Sequence, residues 1–89
     1  MDIQYKKKFV KNFVKLSPKL QSKTIANIKI FQKNPFDRVL DNHALTWEYA
    51  GCKSINITGD YRAIFKDLSS WKYEFVEFIN VWTHSQLYS

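Results

Sequence analysis

The apolar residues of this chain change their spacing once along its length, from a helical repeat to a two-residue alternation, and that switch leaves few architectures open. Phe9, Phe13 and Leu16 recur at three- and four-residue intervals. Val10 and Val14 widen the stripe, and Lys6, Lys7, Lys8, Lys11 and Lys15 flank it. This spacing predicts an amphipathic helix over residues 6–16. Ser17-Pro18 then restarts the chain: a Ser hydroxyl suits a helix N-cap, and Pro suits the first helical position, which needs no amide donor. A second helix therefore follows at once, with Leu20, Thr24, Ile28 and Phe31 facing inward, Ile25 beside them and Asn34-Pro35 as the stop. Ile30 falls off this stripe, which places it either against a neighbouring element or exposed toward a partner.

Ahead of the helices, Asp2-Ile3-Gln4-Tyr5 alternates as a short strand does. Behind them, residues 36–45 show no clean period and read as a long loop, the kind of segment that carries function on a compact domain. Residues 52–58 alternate, with Lys53, Ile55 and Ile57 on one face and Ser54, Asn56 and Thr58 on the other. Thr58-Gly59-Asp60 turns the chain into a strand over 61–68, where Tyr61, Ala63 and Phe65 oppose Arg62, Ile64 and Lys66. Asp67-Leu68-Ser69-Ser70 makes the next turn, and the last strand, 71–82, is apolar on both faces in its second half, as a central or interface-facing strand is. Gly51 and Gly59 are expected where backbone freedom is needed. The order is β-α-α-β-β-β in one α+β domain over 1–89: a helical hairpin packed on one face of a small, twisted, mainly antiparallel sheet. On the opposite face, left concave, Asn56, Arg62 and Asn80 are expected to converge with groups at the strand ends.

Composition narrows the setting. A hydrophobic fraction of 45% with 17% aromatics supports a folded core, and 89 residues suffice for only one. The lone Cys52 leaves no intrachain disulfide and too few thiols for a structural zinc site, so a reduced, cytoplasmic setting is expected, with no metal or other cofactor. No early apolar run resembles a signal peptide and no stretch approaches a membrane span, so no membrane partner is expected. The net charge of +6 is lopsided: residues 1–38 hold ten Lys/Arg against two Asp/Glu, and 39–89 hold four against six. Such asymmetry suits a polyanionic partner, nucleic acid or an acidic protein segment, although for any single lysine solvation of a helix face is the plainer reading.

The side chains able to do chemistry are few. His84 follows the last strand between Thr83 and Ser85, and His43 stands alone in the loop. An imidazole gives or takes protons near neutrality, a guanidinium holds phosphate, a carboxylate orients an imidazole, and Tyr61 or Tyr88 offers a ring for a base. Together these meet the needs of RNA cleavage by its own 2′-hydroxyl without a metal. The plainer readings are that Asp60 is a turn residue, that Arg62 is structural or positions a phosphate rather than moving a proton, and that Tyr88 anchors the C-terminal end.

Asn42-His43-Ala44-Leu45, the hairpin ending Gly59-Asp60-Tyr61-Arg62-Ala63-Ile64-Phe65-Lys66, and Thr83-His84-Ser85-Gln86-Leu87-Tyr88 together resemble the RelE/ParE toxin superfamily, closest to its YafQ-like branch. The resemblance implies a bacterial type II toxin that enters the ribosomal A site and cleaves messenger RNA as an endoribonuclease, restrained by an acidic antitoxin in a heterotetramer or larger complex. It implies catalytic roles for His84 as general acid, for Asp60 and for His43, with Arg62 on the scissile phosphate. Tyr61, Tyr88, Asn56, Asn80 and Lys53 would bind substrate, and lysines of the two helices would grip ribosomal RNA. This chain departs from the branch at Asn56, where the branch has a histidine, at Asn80, where it has an arginine, and at Trp82, where it has a glycine. Two alternatives stay open: a ParE-like inhibitor of DNA gyrase, and a degenerate toxin that only binds its antitoxin.

Overall fold

The Ser17-Pro18 joint forms as its chemistry dictates. Ser17 is extended and its hydroxyl accepts from the Leu20 amide at 3.3 Å, while Pro18 opens the second helix. In this computed structural model, which describes residues 1–83, the elements are β1 (Asp2–Tyr5), α1 (Lys7–Val14), α2 (Pro18–Lys33), β2 (His43–Ala44), β3 (Lys53–Asn56), β4 (Tyr61–Asp67) and β5 (Phe75–Thr83). The five strands form one sheet in the order β1-β5-β4-β3-β2, parallel between β1 and β5 and antiparallel elsewhere. The α+β class holds, with the helices on one face. β5 is an interior strand, flanked by β1 and β4, which explains its apolar residues on both sides. Among the described residues no helix is long and apolar enough to cross a membrane.

Phe31 of α2 is the centre of the core, with its ring 4.8 Å from Phe65 and 5.5 Å from Phe78. Phe9 brings α1 onto Phe78 at 5.8 Å, and Ile55, Ile57, Ala63 and Val81 complete the sheet's contribution. Burial of each large side chain here stabilises the fold by about 1.5–3 kcal/mol. A bulge adjusts β5 to this core. Ile64 pairs with Asn80 but Phe65 with Phe78, so Ile79 is the extra residue, and both Phe78 and Val81 reach the helix-covered face.

Four expectations change. The segment 36–45 is not a plain loop: a single 3₁₀ turn (Arg38–Leu40), capped by the Asp37 side chain on the Val39 amide, leads into β2, which lengthens the sheet beyond β3. A two-residue strand shows no measurable alternation. The β4–β5 connection extends to Glu74 because the Asp67 carboxylate gathers the amides of Ser69 and Tyr73, each at 2.8 Å, so β5 begins at Phe75 rather than 71. Val10, Val14 and Ile25 do not widen the buried stripes and are 49%, 63% and 48% exposed, whereas Ile30 packs against the core. Gly51 has φ +86° as expected, but Gly59 is not in the left-handed region and a Cβ there would meet nothing within 4 Å.

Candidate functional site

Alternation along β4 turns Arg62 away from the helices, yet the side chain is only 8% exposed because its guanidinium is fully occupied. Nε donates to Ser54 Oγ at 2.8 Å; Nη2 donates to the Asp41 carbonyl at 2.8 Å and to the Ser54 carbonyl at 3.3 Å; Nη1 lies 3.5 Å from Asp41 Oδ2. Asp41 is in the left-handed region, φ 45° and ψ 53°, the conformation that closes the 3₁₀ turn. His43 follows on β2, opposite Ser54. Its Nδ1 is 2.9 Å from the Asp41 carbonyl, 3.3 Å from Arg62 Nη2 and 3.7 Å from Asp41 Oδ2, while the ring remains 47% exposed. The Asp41 carboxylate is largely in solvent, so its ion pairs orient more than they stabilise. An anchored cation therefore sits beside the Nδ1 edge of a half-exposed imidazole.

The other expected residues distribute around this cluster and away from it. Asn56 pairs with Arg62 across β3 and β4, and Trp82 pairs with Arg62 across β4 and β5. Asp60 is exposed in the turn just before β4. Tyr61 does not share the Arg62 face: alternation sends its ring to the opposite side, where it packs against the core. Asn80 does not converge on the Arg62 face as an open ligand. It is 4% exposed, and its Oδ1 accepts from Asn12 Nδ2 of α1 at 2.6 Å and from the Val81 amide at 2.9 Å, at the β5 edge that β1 leaves uncovered past Phe78. Lys53 is also engaged elsewhere: its Nζ lies 4.6 Å from the Trp71 ring centre and 5.6 Å from that of Phe36, and donates to the Tyr73 hydroxyl at 3.4 Å. His84 and Tyr88 lie outside the described residues.

Sequence reasoning missed Asp41 and Ser54 as members of the cluster. The signals were present: Asp41 stands two residues before His43, and Ser54 shares the alternation face of Asn56. Among the described residues no three His, Cys, Asp or Glu side chains gather closely enough to hold a metal ion. Burial pushes the Cys52 thiol up, with Lys66 pulling the other way, which leaves it a poor nucleophile.

A second surface lies on the helical side. Tyr5, Phe9, Val10, Phe13, Ile25 and Ile28 line an apolar groove of about 350 Å³ between β1, α1 and α2, with Lys29 and Gln32 at its rim. The segment from Ile3 to Phe36 carries nine lysines and no acidic residue, so the elements that form the groove are strongly cationic.

No family model matches the chain and no curated protein matches it. Solved structures do. YafQ from E. coli superposes with a TM-score of 0.78 at 24% identity, over 99% of this chain and 98% of that one. YafQ within the E. coli DinJ–YafQ toxin–antitoxin complex gives 0.76 at 22% identity, over 99% and 97%. A YoeB/ParE toxin from Agrobacterium tumefaciens gives 0.75 at 18% identity, over 94% and 99%. At these identities the likeness is one of fold, and the fold that this helical hairpin and five-stranded sheet build is that of the RelE/ParE toxins, with YafQ among the structures it resembles.

Proposed function

We propose that this chain is the toxin of a toxin–antitoxin pair and acts as a ribosome-dependent endoribonuclease on messenger RNA in the A site. The observation that carries the reading is the half-exposed His43 held beside the Arg62 guanidinium by the Asp41 carbonyl. In the proposed reaction His43 takes the proton of the 2′-hydroxyl, the 2′-oxygen attacks phosphorus, and the bond to the 5′-oxygen breaks. His84 gives that oxygen its proton, leaving a 2′,3′-cyclic phosphate and a 5′-hydroxyl. Arg62 supplies positive charge near the developing phosphorane from beside the imidazole. Asn56, Asp60 and Tyr88 are left to place the neighbouring nucleotides.

The test is to induce the chain and map RNA ends on stalled ribosomes. Cleavage falls at least ~100-fold in His43→Ala and in His84→Ala, the usual worth of a positioned acid or base, with the urea midpoint unchanged. Undiminished cleavage in both variants would reject the reading.

The partner we propose is an acidic antitoxin that seats an amphipathic segment in the α1–α2 groove. Apolar side chains would fill the space beside Val10 and Ile25, and carboxylates would face the surrounding lysines. One observation favours a second reading, a chain that binds antitoxin without cleaving RNA: Asn80 is 4% exposed and its Oδ1 is tied to Asn12 of α1, which holds the side chain in a buried contact where an open phosphate ligand was expected. Tight antitoxin binding with no new RNA ends would select it.

A further inference from the structure

We infer that the Asp41 backbone carbonyl fixes neutral His43 as its Nδ1–H tautomer, so that Nε2 carries the free lone pair and is the atom that accepts the proton. The inference deepens the ribonuclease reading and rests on it for the identity of that proton.

Nδ1 lies 2.9 Å from the Asp41 carbonyl oxygen. Two acceptors do not sit at that distance without a proton between them, because their lone pairs would repel. The competing arrangement, an unprotonated Nδ1 accepting from Arg62, needs a guanidinium hydrogen to spare. Nη2 carries two: the Asp41 carbonyl at 2.8 Å takes one, and the Ser54 carbonyl competes for the other with Nδ1, both at 3.3 Å, so the shorter 2.9 Å contact with the Asp41 oxygen decides the state of Nδ1. The carbonyl's two lone pairs then serve Arg62 and His43 together, and the Asp41 carboxylate at 3.7 Å adds negative potential on the Nδ1 side. Among the described residues no group bonds Nε2.

Two residues thereby become positioning residues. Arg62 holds the carbonyl through Nη2, and Asp41 aims it by adopting φ 45°, a conformation that Asp tolerates and a β-branched residue does not. The sequence His43-Ala44 then enters β2, whose pairing with Ser54 and Lys53 fixes the backbone that carries the ring.

The deciding measurement is the ¹⁵N spectrum of the His43 ring in the full chain under alkaline conditions that leave imidazoles neutral, with signals assigned by comparison with His43→Gln. The wild type shows Nδ1 protonated and Nε2 bare; a ring protonated mainly at Nε2 overturns the inference. Asp41→Gly, free to take the left-handed conformation, keeps the tautomer, and its loss there would transfer the role to the carboxylate and overturn the carbonyl assignment. Asp41→Val moves the tautomer ratio about fivefold toward Nε2–H, the equilibrium worth of one ordinary hydrogen bond. Arg62→Gln, with folding checked by backbone amide signals, moves it in the same direction, and a ratio unmoved in both variants overturns the inference. On ribosomes Asp41→Val lowers kcat with KM near that of the wild type. A wild type that cleaves nothing would overturn the ribonuclease reading, while the ring spectrum still decides the tautomer.

Discussion

Arg62 donates to three oxygens on two segments that are distant in sequence, two from Ser54 and one from Asp41, and this makes one side chain the fastener between β3, β4 and the approach to β2. Its planar fork matches that geometry and an ammonium does not, so Arg62→Lys is expected to destabilise the fold by about 2 kcal/mol, the worth of hydrogen bonds from a charged donor, despite keeping the charge. A lower urea midpoint at constant m-value is the expected result, and a midpoint within error of the wild type would show that the grip is incidental. The two glycines divide in the same way. Gly51 is at φ +86°, so Gly51→Ala costs about 1 kcal/mol, whereas Gly59 has an ordinary φ and open space at its Cβ, so Gly59→Ala stabilises by about 0.5 kcal/mol through the unfolded chain. Thermal melts of the two variants should therefore shift in opposite directions.

At the scale of elements, the β4–β5 connection is built around one carboxylate. Ser70, Trp71 and Tyr73 all have positive φ, a costly backbone for bulky residues, and the Asp67 carboxylate holds the turn by accepting from the Ser69 hydroxyl and amide and from the Tyr73 amide. Burial pushes the Asp67 carboxyl up, but these hydrogen bonds and nearby Lys53 together outweigh it and hold the group below the ordinary carboxylate range. A depressed pKa contributes stability that is present above the unfolded value of about 3.9 and lost as pH falls through the folded one. Urea midpoints should therefore drop as pH is lowered below about 4, and Asp67→Asn should flatten part of that slope; an identical slope in the variant would remove Asp67 as its source. The same elements show what a sequence exposes. The hairpin joint at Ser17-Pro18, the limits of α2 and the alternation of β3 and β4 were legible because local chemistry and period agree there. β2, the seven-residue β4–β5 connection and the bulge at Ile79 were not, since each depends on a partner distant in the chain: Ser54, Tyr73 and Phe65. His43 and Arg62 were legible as candidates, but their contact arises only when the Asp41 turn returns the chain to the sheet. Asn80 was misplaced because alternation gives a face and says nothing of an open strand edge with a helix beside it.

On the scale of the whole molecule the sheet separates two surfaces. His43 and Arg62 lie on the face turned from the helices, and the lysine-rich hairpin with its apolar groove lies on the other. Under the proposed function, an antitoxin segment seated in the groove would leave the His43 ring uncovered and restrain the chain by occupying the cationic surface that ribosomal RNA would otherwise meet. Two terms would hold it there, and they respond to different perturbations. Covering the exposed halves of Val10 and Ile25 is worth about 1 kcal/mol each, and the lysine field acts over a Debye length that shrinks from about 10 Å at 0.1 M salt to about 3 Å at 1 M. Ile25→Glu removes the first and adds a like charge to an acidic partner. Because Ile25 is 48% exposed and outside the core, the substitution should leave the free protein's melting temperature nearly unchanged. Calorimetric titration with an acidic amphipathic peptide should show affinity falling at least ~10-fold in Ile25→Glu, where one lost apolar contact and one repulsion act together, and falling again at high salt in the wild type. Affinity that survives both changes would place the antitoxin elsewhere on the molecule, and protection of the His43 ring signals in the complex would point to the opposite face of the sheet.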